Sequence, residues 1–171
     1  MTCGVWGMAL RINVAAQRRL REIQSQLLLA RRAAELSQVA LSSLAGVSNR
    51  ALQDWERGSD APNLDHLISW ARELGFRLVI TESPGASPPL PPVEPGDGET
   101  WEACEMRRLA MPLRAQRMIR KLTQTDLGLL LGVSRSSLQR WEDVQMFPRS
   151  IALIVWADRL GCRVELEPVA S

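Results

Sequence analysis

The chain holds one histidine, His66, and three cysteines, Cys3, Cys104 and Cys162, in 171 residues. The cysteines are odd in number and stand at no metal-ligand spacing, which argues against a disulfide framework and suits a reducing cytoplasm. No phosphate loop, no His-Glu-x-x-His and no Cys-x-x-Cys occurs, and the carboxylates are scattered at helix-surface spacing. We therefore expect no enzyme, no cofactor and no metal site. No apolar run approaches the ~20 residues of a membrane span. Val5, Trp6 and Met8 fall short of a signal-peptide core, so residues 1–11 read as a loose N-terminal arm. Charge of one sign is scarce as well. The net charge is +2, with nine basic and eight acidic side chains in residues 12–82 and eleven and nine in residues 98–168. Any attraction for a polyanion must come from where the arginines sit, not from their excess.

What the chain has instead is one stretch twice. Leu36–Pro62, LSQVALSSLAGVSNRALQDWERGSDAP, returns 86 residues later without a gap as Leu122–Pro148, LTQTDLGLLLGVSRSSLQRWEDVQMFP. Aligning 27–82 with 113–168 gives 21 identities in 56 positions, an internal duplication that sets two units of roughly 70 residues each.

In the first unit, residues 12–35 lack proline and glycine and space Leu20, Ile23 and Leu27 as one helical face. They predict one helix or two abutting ones. Ser37 and Ser48 are natural N-caps, because a hydroxyl satisfies an orphan amide of the first turn. They open helices of about 38–45 and 49–57, which Gly46 and Gly58 close by supplying left-handed backbone. A last helix, 63–74, carries Leu64, Leu67, Ile68, Ala71 and Leu74 as a core stripe, and residues 76–81 turn strand-like. Ser83–Asp97 is a proline- and glycine-rich linker that can neither form a helix nor pack a core. The second unit, 98–168, repeats the pattern: a helical region 98–121, helices of about 124–131, 135–143 and 149–160, and a strand over 163–167. Pro112 should split or kink the first of these.

Two short helices joined through glycine cross at a fixed angle, so the second protrudes and fits a major groove. Such a crossing needs a small residue where the helices touch, and Ser42 and Gly128 hold that position. Leu36-Ser37-Gln38, Gly46-Val47-Ser48, Leu52-Gln53-Asp54-Trp55-Glu56-Arg57-Gly58 and Pro62, with their second copies, resemble the lambda-repressor/Cro-like (XRE-type) helix-turn-helix family. The resemblance covers nearly all of both units. The second copy departs from it at Asp143-Val144, where the family has a basic or polar residue and then glycine.

The resemblance implies a mainly α fold of two helix-turn-helix domains, each closed by a short strand, and it implies double-stranded DNA as the partner. It assigns base reading to Asn49, Arg50 and Asp54 in the first unit and to Arg135, Ser136 and Arg140 in the second. Arg suits guanine and Asn suits adenine. Asp54 fits such a surface when it accepts from cytosine or pairs with Arg50 or Arg57. Contacts to the DNA backbone fall to Gln38, Ser48, Arg57 and Asn63, and to Gln124, Ser134 and Arg149; Ser48 and Ser134 also read as helix caps. Arg31 with Glu56, and Arg117 with Glu142, read as structural ion pairs. Trp70 and Trp156 read as core or interface, and His66 as a surface residue.

One chain thus carries two unlike readers. The expectation is a monomer with an internal twofold that reads an asymmetric bipartite site, the strands 76–81 and 163–167 pairing antiparallel to hold the units together; the alternative is that each strand caps its own unit and the linker leaves the two independent. The leading function is a repressor of phage or mobile-element type. A reading from another class is an antitoxin that neutralises a partner toxin and represses its own operon, and a transcription-machinery protein is a further candidate partner.

Overall fold

The computed structural model describes residues 9–82 and 92–169. The first unit comprises α1 (Val14–Ala33), α2 (Gln38–Ala45), α3 (Asn49–Arg57), α4 (Leu64–Glu73) and β1 (Phe76–Glu82). The second repeats the order as α5 (Trp101–Ile119), α6 (Gln124–Leu131), α7 (Arg135–Glu142), α8 (Ser150–Arg159) and β2 (Cys162–Pro168). Of the linker expected at 83–97, residues 83–91 lie outside the described residues, and 92–100 form irregular chain and a turn.

The helix starts follow from hydroxyl and amide chemistry. Ser37, Ser48, Thr123 and Ser134 each accept a backbone N–H three residues on, from Ala40, Ala51, Asp126 and Ser137. Each such cap is worth about 1 kcal/mol. Thr123 and Asp126 bond reciprocally as a capping box. The bonds from Thr123 hold the Asp126 carboxyl below its ordinary pKa.

The region 12–35 holds one helix, Val14–Ala33, and not two. Pro112 likewise does not split its region, since α5 runs unbroken from 101 to 119 with Pro112 inside it. The ring removes one amide donor and costs about 3 kcal/mol in a helix interior. Met106, Leu109 and Leu113, all fully buried, hold the helix to the core on both sides of the proline. Burial of such side chains is worth about 1.5–3 kcal/mol each, enough to offset it.

A single cluster of buried side chains runs through both units. Leu20, Ile23 and Leu27 of α1 pack with Leu41 and Leu52, and Met106, Leu109 and Leu113 do the same with Leu127 and Leu138. Trp55 tilts against Trp70 at 5.9 Å between ring centroids, and Trp141 against Trp156 at the same 5.9 Å. Trp70 and Trp156 are fully buried. His66 is exposed and lies 5.8 Å from the Trp55 ring.

The strands pair across the units. β1 and β2 run antiparallel with Phe76 opposite Pro168, Val79 opposite Glu165 and Glu82 opposite Cys162. Because the copies are offset by 86, Val79 faces its own counterpart and the register is symmetric about that pair. A second self-pairing occurs at the isolated bridge between Asn63 and Arg149. There the Leu64 amide donates to the Pro148 carbonyl at 3.0 Å and the Ser150 amide to the Pro62 carbonyl at 3.4 Å. The long helices complete the exchange, α1 packing on α8 and α5 on α4. Each strand alone would expose two unpaired edges, and the pairing covers one edge of each.

Candidate nucleic-acid interface

The elbow between α2 and α3 closes on a hydrogen bond from the Val47 amide to the Ser42 carbonyl at 3.0 Å; its counterpart joins Val133 to Gly128 at 2.9 Å. A Cβ on Gly128 would stand 2.8 Å from the Val133 carbonyl oxygen, too close without a shift. Ser42 is accommodated in the first copy, nearly buried, its hydroxyl donating to the Val39 carbonyl at 2.9 Å. This contact sets the angle at which α3 and α7 stand out from their units.

Behind each protruding helix lies the same buried charge cluster. Arg31 donates through Nε to Glu56 Oε1 at 2.5 Å and through Nη2 to Oε2 at 2.9 Å. Arg117 meets Glu142 at 2.6 and 3.0 Å. The remaining guanidinium nitrogens donate to the carbonyls of Leu36 and Leu122, each at 2.8 Å. Gln38 then donates to Glu56 at 2.7 Å and Gln124 to Glu142 at 2.9 Å. A bidentate Arg–carboxylate pair is geometrically stiff, so the amides of Gln38 and Gln124 are fixed at the start of α2 and α6. One N–H of each remains for an outside acceptor.

On α3 the outward stripe differs from that on α7. Arg50 is exposed, whereas Asn49 is half-buried with its Oδ1 enclosed and without a partner. A bidentate hydrogen bond from Asn49 to adenine therefore requires that side chain to rotate. Asp54 pairs with Arg57 at 2.5 Å rather than with Arg50. On α7, Arg135, Ser136 and Arg140 are all exposed. Ser48 and Ser134 act as caps, and the Ser134 hydroxyl also meets Ser136 and Ser137 at 3.2 and 2.9 Å. Gln53 and Gln139 fall on the same stripes, one turn after Arg50 and Ser136. In the sequence only their i,i+3 spacing from Arg50 and Ser136 marks them as part of that stripe. Asn63 and Arg149 are both exposed, beside each other at the bridge between the units.

The helix ends show how the second copy departs. After α3 the chain turns left-handed at Gly58 (φ 72°); after α7 it does the same at Val144 (φ 57°). The Val144 amide reaches the Trp141 carbonyl at 3.2 Å, as Gly58 reaches Trp55 at 3.1 Å. The backbone is preserved, at a cost of roughly 1–2 kcal/mol for an L-residue in this region.

The supports between the units are also unlike. Glu105, almost wholly buried, takes Arg77 at 2.6 Å and Arg108 at 2.7 Å, and Arg108 donates onward to the Leu78 carbonyl. Burial pushes the Glu105 carboxyl up, but the bonds from Arg108 and Arg77 outweigh it and hold it below the ordinary carboxylate value. At the corresponding place on α1 stands Arg19, which donates to the Val164 carbonyl at 2.7 Å and to Glu22 at 2.9 Å. Glu99, bonded by Arg107 and by the Gly96 amide, has its pKa lowered to about 2. Arg72 lies 4.7 Å from the Trp101 ring centroid.

Neither a metal-binding group of histidine, cysteine and carboxylate nor a helix long and apolar enough to cross a membrane occurs among the described residues. A family model described as helix-turn-helix matches residues 27–80 and 113–143. The second match stops beside Val144, where glycine gives way. No curated protein and no solved structure matches the chain.

Proposed function

Because the chain belongs to the helix-turn-helix family of DNA-binding regulators, we propose that it is a repressor reading one asymmetric, bipartite DNA site as a monomer. The observation that carries this reading is the symmetric strand register, which ties two unlike protruding helices into one chain. A dimer of identical helices reads a palindrome; a tied pair of different helices reads two different half-sites, about 34–36 Å apart if they lie one helical turn from each other.

In this reading Arg50, Arg135 and Arg140 meet base edges, with Asn49, Asp54 and Ser136 beside them. Gln38 and Gln124 give their remaining N–H to phosphate, as do Arg57, Asn63, Arg149 and the capping serines. Repression follows from occlusion of a promoter, with the protein acting as a binder and not as a catalyst in the cytoplasm. A random-pool DNA selection, followed by light scattering of the complex, tests it. One chain on a non-palindromic site is expected. Two chains per site, or a perfect palindrome as the best ligand, would overturn the monomer reading.

A further inference from the structure

The two elbows differ in a way that the repeat does not foretell. Among the described residues the Gly46 elbow of the first unit is open, and a Cβ placed there meets none of them within 4 Å. The Gly132 elbow of the second unit is covered. Residues Ala9–Ile12, which lead into α1 of the first unit, lie across it. The Arg11 amide donates to the Leu131 carbonyl at 2.8 Å, supplying a partner for a carbonyl of the last turn of α6. Leu10 packs against the core and Gly132 is buried, whereas Gly46 is exposed. A Cβ on Gly132 would collide with the Ala9 carbonyl oxygen and stand 3.1 Å from Arg11 Cγ. Expected as loose, residues 9–11 are docked.

We propose that Ala9–Ile12 is a positioning clamp for the second protruding helix: by closing the α6–α7 elbow from the opposite unit, it fixes α7 and sharpens base preference in the second half-site alone. The clamp rests on the reading of α3 and α7 as DNA-facing, but its docking can be measured without DNA. Left unclamped, an elbow hinges on its glycine and lets the reading residues miss the sub-ångström geometry that bidentate base contacts need. The first unit, whose elbow no described residue covers, reads with the tolerance its own packing allows.

Gly46 and Gly132 both adopt positive φ, at 69° and 78°, so the backbone strain of an alanine is common to Gly46→Ala and Gly132→Ala and cancels. Only Gly132→Ala also expels the arm. Arg11→Pro deletes the amide donor without touching α6, and Arg11→Gln removes the charge while keeping the amide. Two measurements on the full chain decide. In hydrogen exchange without DNA, Gly132→Ala and Arg11→Pro should speed exchange at the amides of positions 132 and 133 at least tenfold over the Gly46→Ala effect at positions 46 and 47, with Arg11→Gln unchanged. In pool selection, the same two variants should flatten preference at the bases under Arg135 and Arg140 and leave those under Arg50 intact. Equal exchange in the two glycine variants overturns the clamp. So does an Arg11→Gln chain that matches Arg11→Pro on DNA, since the charge would then be the cause. If the wild-type chain selects no site, the DNA reading falls, and the exchange result alone upholds or sinks the docking.

Discussion

The two protruding helices sit on the same scaffold and present different chemistry. Behind both, the Arg–Glu–Gln cluster recurs within a few tenths of an ångström. In front, α3 offers Arg50 beside a half-buried Asn49 and an Asp54 already taken by Arg57, while α7 offers Arg135 and Arg140, both exposed along its stripe. A buried bidentate pair admits few substitutions, because removing one partner strands a charge. An exposed stripe admits many. Duplication followed by change is therefore visible only where packing allows it.

The largest asymmetry to test is in the supports. Glu105→Ala leaves Arg77 and Arg108 without their shared carboxylate, and a loss of about 3–5 kcal/mol is expected in urea unfolding. Arg19→Ala, at the matching place on α1, removes one bond to the Val164 carbonyl and an exposed pair with Glu22 and should cost about 1–2 kcal/mol. Equal losses would show that the two seams are energetically alike. Acid should act through the same group. The bonds from Arg108 and Arg77 hold the Glu105 carboxyl below the ordinary carboxylate range, and those from Arg107 and the Gly96 amide lower Glu99 to about 2. Their contribution is therefore present above about pH 4.5 and is lost as pH falls below it towards the folded values. Glu105→Gln should flatten the acid limb of a stability-against-pH curve, and an unchanged limb would refute the assignment.

On DNA the comparison narrows to single bases. Arg140→Ala should weaken specific binding by about 1–3 kcal/mol and relax one base pair in one half-site; Arg50→Ala should do so in the other. If either change relaxes both half-sites, the two helices do not read separately. Val144→Gly should relieve the strained turn after α7 and raise stability by about 1 kcal/mol, measured as a shift in the urea midpoint. The same turn in the first unit already has its glycine. A gain of zero would mean that Val144 offsets the strain through its packing against the core. The smallest effect belongs to Asp54→Asn. Freeing Arg57 from an exposed pair worth about 0.2–1 kcal/mol should steepen the salt dependence of binding by about one phosphate contact. An unchanged slope would mean that Arg57 faces away from the duplex.

Most of the helices were legible because each repeat punctuates itself. A hydroxyl sits before α2, α3, α6 and α7, and glycine follows three of them. Pro112 misled because a local cost of about 3 kcal/mol reads as decisive until the burial on both sides of it is seen. The clamp was illegible for the opposite reason. Ala9–Ile12 has no repeat counterpart at Gly46, no charge run and no periodicity, and its partner lies about 120 residues away at Gly132. Glu105 was missed because its counterpart is Arg19, and a charge reversal between copies looks like surface drift.

The sequence by itself determined two helix-turn-helix units, the limits of the three shorter helices in each to within a residue, and which stripe of α3 and α7 varies. Those are local properties, set by capping chemistry and by 3.6-residue periodicity. It raised the pairing of β1 with β2 but could not decide it, since a strand that caps its own unit has the same composition as one that pairs. Only the tertiary structure placed Val79 against Glu165 and Asn63 against Arg149, exchanged the long helices between the units, gave Asp54 to Arg57, and laid the N-terminal arm over one elbow and not the other. Each of these depends on residues far apart in the chain meeting in space, and no window of sequence contains both partners.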